Sequence, residues 1–486
     1  MTRRSELRGG LQLEAHKALP LRHPVVQLPP PRTVVLALDQ GSGQESEPAV
    51  RPGQAVRIGT PVAAQRGAAA ALHSPVSGTV REIVPRPTLR GTGRCIVVDN
   101  DGRDERDPAL LPCDWRSLAG EDLLERIAAG GVAGLGGGAF PTAVKLGLAR
   151  RTGVELLLLN GAECEPWICC DDALMRERAA DVVIGAQVML AACGAARCII
   201  AVEDDKPQAI AALGAALATA ADARLELRSL PAVFPLGAEG PLVAAVTGRE
   251  VPHDGLPPQV GVVCQNVATA AAVARLVRDG MPVVSRVVTV TGSGVLGPAN
   301  VEARLGTPIA ELIAACGSCA DGERRLIAGG SLTGRALDDD AVPVTKGLNC
   351  VLAATPADLP RRGAEMPCIR CGDCATVCPA RLLPQQLHRA AQFDDVEALA
   401  RFGLGACIEC GCCDYVCPSA IPLTARFRAA RERQRLRDLE RERAAQAKSR
   451  YERHQRRLAE QAEAEHRAFD EARRRARGDS STGTGQ

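Results

Sequence analysis

A chain of 486 residues with 46% apolar residues is too long for one core and long enough for three or four domains. The net charge of +2 is uneven: residues 426–477 hold 18 basic and 10 acidic residues, so everything outside that stretch sums to −6. A slightly acidic body without a nucleic-acid-binding motif gives no reason to expect nucleic acid as a partner.

Twenty cysteines raise the question of disulfides. The opening MTRRSELRGGLQLEAHK has no apolar stretch of the kind a secretory signal needs. Many of the cysteines fall at C-x-x-C spacing, which suits metal better than bridges in a reducing compartment. The longest uncharged run, Leu256–Ala274, contains Pro257, Pro258, Gln259, Gln265 and Asn266 and does not read as a membrane span.

Residues 1–115 read as short strands broken by Gly and Pro. The stretch Val50–Val80 resembles the flattened barrel of lipoyl and biotinyl domains, a barrel-sandwich hybrid. The loop that would carry their modified lysine, Gln65–Leu72, has none, so a structural or docking role is expected. Residues 116–255 alternate strand and helix signals: strand Glu155–Leu159, helix Leu174–Cys193, strand Cys198–Val202, helix Gln208–Ala221. That alternation predicts an α/β sheet. Residues 256–356 read as a β-grasp-like unit, with a helix at Ala268–Val277, a strand at Arg286–Gly292 and a helix at Ile309–Ala315. Residues 357–425 hold the cysteine motifs. Residues 426–486 read as a long solvated helix with a disordered GDSSTGTGQ end.

Two runs repeat one pattern: Cys368, Cys371, Cys374 and Cys378-Pro379, then Cys407, Cys410, Cys413 and Cys417-Pro418. This is the spacing of two-cluster ferredoxins. Three thiolates wrap one [4Fe–4S] cubane, and the fourth ligates the other cluster. One cluster is then expected on Cys368, Cys371, Cys374 and Cys417, the other on Cys407, Cys410, Cys413 and Cys378. Paired structural zinc sites are the alternative, but they give no reason for the x-x-x-C-P ending. Cys412 falls outside the spacing.

Gly134–Lys145, GLGGGAFPTAVK, is rich enough in glycine for main-chain N–H groups to approach a phosphate or a flat ring. By itself it reads equally as a mobile turn. Asn160–Pro166, NGAECEP, follows a buried strand, and ligands of α/β sheets bind at the carboxyl ends of strands.

Together these motifs resemble the FMN- and NADH-binding subunit of respiratory complex I. They are more similar still to the C subunits of Rnf complexes (RnfC, also called RsxC), ion-translocating ferredoxin:NAD oxidoreductases. The resemblance covers about residues 1–425. It implies a multidomain α/β chain: a barrel-sandwich hybrid, a Rossmann-like FMN/NADH domain, a β-grasp domain of SLBB type, an α-helical two-cluster ferredoxin domain and a charged C-terminal helix. It implies that Gly134, Gly136, Gly137 and Lys145 hold FMN and that Phe140 lies beside the nicotinamide. Asn160 and Glu163 would contact the flavin, and Glu165 the nucleotide. Glu239 and Asn266 fall in weaker matches, FPLGAE and Gln265-Asn266-Val267, the latter like a pair that grips the FMN phosphate. It further implies a peripheral subunit on the cytoplasmic side of the inner membrane. Its partners would be integral membrane and cluster-bearing subunits, a ferredoxin-type electron carrier and NADH. A soluble NADH-linked flavo-iron–sulfur oxidoreductase and a cluster-only wiring subunit are the alternatives. Cys316-x-x-Cys319 reads as an incidental pair and not a redox pair, Cys164, Cys169 and Cys170 as serving packing or loop chemistry and not catalysis, and His16, His23, His73 and His253 as surface residues.

Overall fold

The computed structural model describes residues 9–252, 255–319, 322–359 and 363–478; His253 and the last eight residues of the GDSSTGTGQ end lie outside them. The chain divides into a larger unit, residues 1–386 with 405–424, and a smaller one, residues 387–404 with 425–486.

The larger unit begins with two small sheets. One orders strands Thr33–Ala37, Gly91–Asn100, Gly78–Thr88 and Ala55–Val56; the other orders Glu47–Pro48, Pro61–Ala64 and Leu72–His73. Alternate residues such as Val34, Leu36, Val62, Leu72, Val80, Ile96 and Val98 point into their common core, as the period of two requires. The Gln65–Leu72 loop is tucked in. Arg66 and Ala69 close a tight turn by two main-chain hydrogen bonds, and the Ala71 carbonyl accepts from the buried Lys346 ammonium at 2.6 Å. That ammonium also donates to Gly131 O at 2.6 Å, so this loop is anchored within its own chain. His73, expected at the surface, is buried beside Lys346; burial and that neighbouring charge push its pKa down to about 3.

The middle layer is a parallel sheet in the order Leu225–Leu230, Arg197–Glu203, Leu156–Gly161, Val262–Asn266. LLLL and CIIAV are uninterrupted apolar runs because helices cover both faces. The predicted helix Leu174–Cys193 is two helices, Cys170–Glu177 and Ala179–Cys193, parted at Arg178. The Arg178 guanidinium turns to Glu302 on another sheet, and its backbone leaves the helical region to do so. Strand Val262–Asn266 and helix Val267–Asp279 pack in this layer and not in a β-grasp unit beginning at 256. The helix crosses Ala179–Cys193 so closely at Gly185 that a Cβ there would stand 1.9 Å from Ala270 O.

The six-stranded sheet that follows runs Val26–Gln27, Ala299–Arg304, Ser285–Thr291, Cys350–Ala354, Arg325–Ala328, Arg335–Leu337. Its first strand comes from the N-terminal segment, which pairs in parallel with Ala299–Arg304.

Both cysteine runs belong to the larger unit. The smaller one holds most of helix Pro384–Gln392, then Val396–Arg401, and most of Leu423–Gly478, which runs as one helix of 56 residues. Asp394 pairs there with Arg433 and Arg437. Tyr451, Leu458 and Phe469 are exposed, and no apolar stripe forms, as the charged sequence predicts. No helix among the described residues is long and apolar enough to cross a membrane.

Candidate functional site

Three loops meet at the carboxyl ends of the parallel strands. The first is the glycine loop. Gly134 N–H donates to Phe140 O at 2.9 Å and Ala139 N–H returns to Gly134 O at 2.9 Å, which closes the loop on itself. Gly136, Gly137 and Gly138 are exposed, as is Phe140. Gly137 sits at φ +112°, open to glycine and strained for other residues. From below, Leu135 N–H donates to Thr269 Oγ1 at 2.9 Å and Leu135 O accepts from the buried Arg286 guanidinium at 2.9 Å.

Asn266 ends the Val262–Asn266 strand and caps the helix behind it, with Oδ1 accepting from Ala268 N–H at 2.8 Å. Its Nδ2 donates to Asp171 Oδ2 at 2.6 Å, and its side chain lies against Gly136. Asn160 ends the Leu156–Gly161 strand; Nδ2 donates to Gly237 O at 2.8 Å and Oδ1 accepts from Ala162 N–H at 3.0 Å. Lys145 and Glu239 form a half-exposed ion pair at the rim.

The two loop carboxylates go separate ways. Glu163 is turned inward and caps the Cys170–Glu177 helix, accepting from Asp171 N–H at 2.9 Å and Asp172 N–H at 3.2 Å. Glu165 reaches the six-stranded sheet's loop, accepting from Leu332 N–H at 3.0 Å and Thr333 N–H at 2.8 Å. Burial holds its carboxyl above the usual range in spite of those donors.

Glu163, Cys170 and Asp171 gather ligand atoms within 4.8 Å of one another. The charges of Lys17 and Arg286 already bear on this group, which weighs against a further cation there. Burial, then the Glu163 carboxylate, pushes Asp171 up to about 7. The native chain therefore keeps a proton that the unfolded chain releases above the ordinary carboxylate range. Stability falls as pH rises towards about 7. Asp171→Asn should match the native chain near pH 4 and be the more stable in denaturant titrations at pH 8. Cys169 and Cys170 are buried beside it, with thiols pushed up by burial, as packing residues would be.

The site fits FMN on its own observations. Gln265 Nε2 and Thr142 Oγ1 are buried without a hydrogen-bond partner among the described residues, one beside Asn266 and one in the second half of the GLGGGAFPTAVK stretch. Orphaned buried polar atoms cost free energy unless a ligand or water satisfies them.

The cysteine loops repeat each other. Positive φ recurs at Arg370 and Glu409, Gly372 and Gly411, and Arg381 and Ala420, each pair 39 residues apart. Helical turns Asp373–Thr376 and Cys412–Tyr415 occupy matching places. Such turns gather main-chain N–H groups on one side, which suits a cluster's sulfurs. Cys378 Sγ accepts from Leu382 N–H at 3.4 Å. Cys378 feels the charge of Cys410 in the second run. Cys412 is buried among Cys410, Cys413 and Cys378, and its hydrogen bond holds the Cys410 thiol below the ordinary range. Cys368 and Cys371 are exposed, flanked by exposed Met366 and Ile369.

Comparison with known proteins agrees with this geometry. Residues 5–103 match the RnfC barrel sandwich hybrid domain, 127–275 the Nuo51 FMN-binding domain, 287–336 the SLBB domain and 363–418 a 4Fe-4S dicluster domain. A protein of Rhodobacter capsulatus, named as the C subunit of an ion-translocating oxidoreductase complex, is 38% identical over 409 residues, 82% of this chain and 77% of its own length. The chain belongs to that RnfC family. Relatives of the same name in Pseudomonas aeruginosa and Erwinia tasmaniensis are 45% and 43% identical over 93% and 94% of this chain. The chain spans 58% and 56% of their lengths. A crystal structure of an NAD+-reducing [NiFe]-hydrogenase overlaps 66% of this chain and 64% of its own at a TM-score of 0.46 and 20% identity, too loosely to add to the assignment. This RnfC-family chain thus carries an FMN-binding domain and an iron–sulfur domain in the expected order. Lys17, Arg286 and Asp171 contact the site loops, and motif reading does not single them out.

Proposed function

We propose that this chain is the electron-input subunit of a membrane-bound complex that couples electron transfer between NADH and ferredoxin to ion translocation. It would work through FMN and two [4Fe–4S] clusters. The observation that carries this reading is a chain of contacts from flavin loop to cluster loop. Glu165 of NGAECEP binds Leu332 N–H, and Leu332 O lies 3.2 Å from where a Cβ of Gly411 would be. FMN, when bound, accepts an electron pair as hydride and releases electrons singly, which clusters require.

The residues around it hold, orient and insulate. The Gly136–Gly138 main chain, Gln265 and Asn266 would hold the cofactor, and Phe140 would flank the nicotinamide of NADH. Gly411 and Cys378 both lie on the flavin side, which supports the Cys407, Cys410, Cys413 and Cys378 cluster as the inner one. The exposed Cys368 and Cys371 support the other cluster as the exit to the rest of the assembly. Cys374 Sγ lies 3.5 Å from Gln385 Oε1, and Cys413 Sγ 4.0 Å from the matching Thr424 Oγ1. The family's name, that of a subunit of an ion-translocating complex, supports a peripheral seat beside integral subunits, and we assign it to the cytoplasmic face of the inner membrane.

The test is anaerobic addition of NADH to the full chain reconstituted with FMN, iron and sulfide. Flavin absorbance should bleach and the cluster absorbance follow. A chain that takes up clusters but no FMN, and leaves NADH unoxidised, would be a wiring subunit instead. Full activity wholly in the washed cytosolic fraction would sink the membrane-bound reading.

A further inference from the structure

Residues Gly9–Lys17 form a strap from the first cluster loop to the NGAECEP loop. Gly10 N–H donates to Val377 O at 2.9 Å, and Gly9, at φ +85°, lies so close to Cys378 that a Cβ would stand 2.9 Å from its carbonyl carbon. Leu11 exchanges two main-chain hydrogen bonds with Phe234, at 2.7 and 2.9 Å. Ala15 O accepts from Trp167 N–H at 2.9 Å, and the His16 ring stacks on Trp167 at 4.2 Å and 6°. His16 and Trp167 hold φ of 52° and 75°, a region that strains a non-glycine residue and persists only where packing over-determines it.

Those contacts deliver Lys17. Its side chain is buried, and its ammonium donates to the Glu163 carbonyl inside NGAECEP. Among the described residues it has no carboxylate within ion-pair distance and no second hydrogen bond, although an ammonium carries three donors. Its charge bears on Glu165, Asp171 and Glu203 around the same strand ends. Two spare donors on a buried cation beside a ligand site call for an anion or a carbonyl from the ligand.

We propose that Lys17 is a positioning residue that gives the FMN site a buried positive charge, favouring the reduced flavin and raising its potential. This rests on the FMN reading above. A hydride from NADH brings two electrons and one proton, so the reduced flavin bears one negative charge more than the oxidised form, and a fixed cation nearby stabilises that product. The charge arrives on the segment that also seats Cys378, so flavin potential and inner-cluster position share one piece of chain.

Lys17→Gln and Lys17→Arg, made in the full chain, test this. FMN content and the two-electron midpoint are read by anaerobic spectroelectrochemistry, with thermal melting as the check on folding. Lys17→Gln should keep FMN and shift the midpoint negative by about tenfold in the reduction equilibrium, ~30 mV for two electrons. Lys17→Arg should restore most of it. An unchanged midpoint in a folded, FMN-bearing Lys17→Gln chain overturns the role of Lys17 alone. So does equal loss of FMN from both variants, which would mark a steric role. A native chain that takes up no FMN overturns the FMN reading itself.

Discussion

The Gly136→Val chain should hold less than a tenth of the native FMN while keeping its iron. A Cβ at Gly136 would stand 3.0 Å from Asn266 Nδ2 and 3.2 Å from its Cβ and Cγ. Asn266 cannot yield, because it caps the Val267–Asp279 helix and ties Asp171 to the strand ends. The loop must move instead, and Leu135 holds its near end through Thr269 and Arg286. Valine's two branches therefore displace the main chain that is to cradle the cofactor. Gly214→Ala, exposed on the Pro207–Ala220 helix, is the control, since nothing lies within 4 Å of its Cβ. The measurement is flavin and iron per chain after reconstitution. Equal FMN in Gly136→Val and native chains would exclude this loop as the cradle.

Cys378→Ser and Cys413→Ser should cause the same lesion, although they lie in different motifs. The proposed crossed ligation would make both thiols ligands of one cluster, and the electrostatic influence between Cys378 and both Cys410 and Cys412 supports it. Iron should fall from about eight to about four atoms per chain in each variant. NADH should still bleach FMN, whereas reduction of the remaining cluster should slow at least 100-fold with the inner one gone. Low-temperature EPR of the reduced chains reads which cluster survives. If Cys378→Ser matched Cys374→Ser instead, ligation would be uncrossed.

The parts legible in the sequence are those whose causes are local. The cysteine spacing, the ELLLL and CIIAV strands and the Ile309–Ala315 helix each depend on neighbours a few positions away. The misplaced features have distant causes. The break at Arg178 answers Glu302, the strand Val262–Asn266 belongs to a sheet begun at Leu156, and His73 is buried by Lys346. Lys17 contacts a loop 146 positions further on, and Arg286 supports one 151 positions back. A lone lysine in LEAHK has no periodicity or spacing to announce it. For Glu163 the motif gave the loop but not the direction of the carboxylate, which the helix start behind it claimed.

The doubled cluster loop has a consequence for engineering. Two backbones that coincide in turn after turn leave only side chains to tell one metal environment from the other. Asp373 stands where Cys412 stands, and Gln385 where Thr424 stands. Exchanging those residues between the halves would carry one site's nearest side chains onto the other, while the difference in exposure between Cys368 and Cys407 would stay.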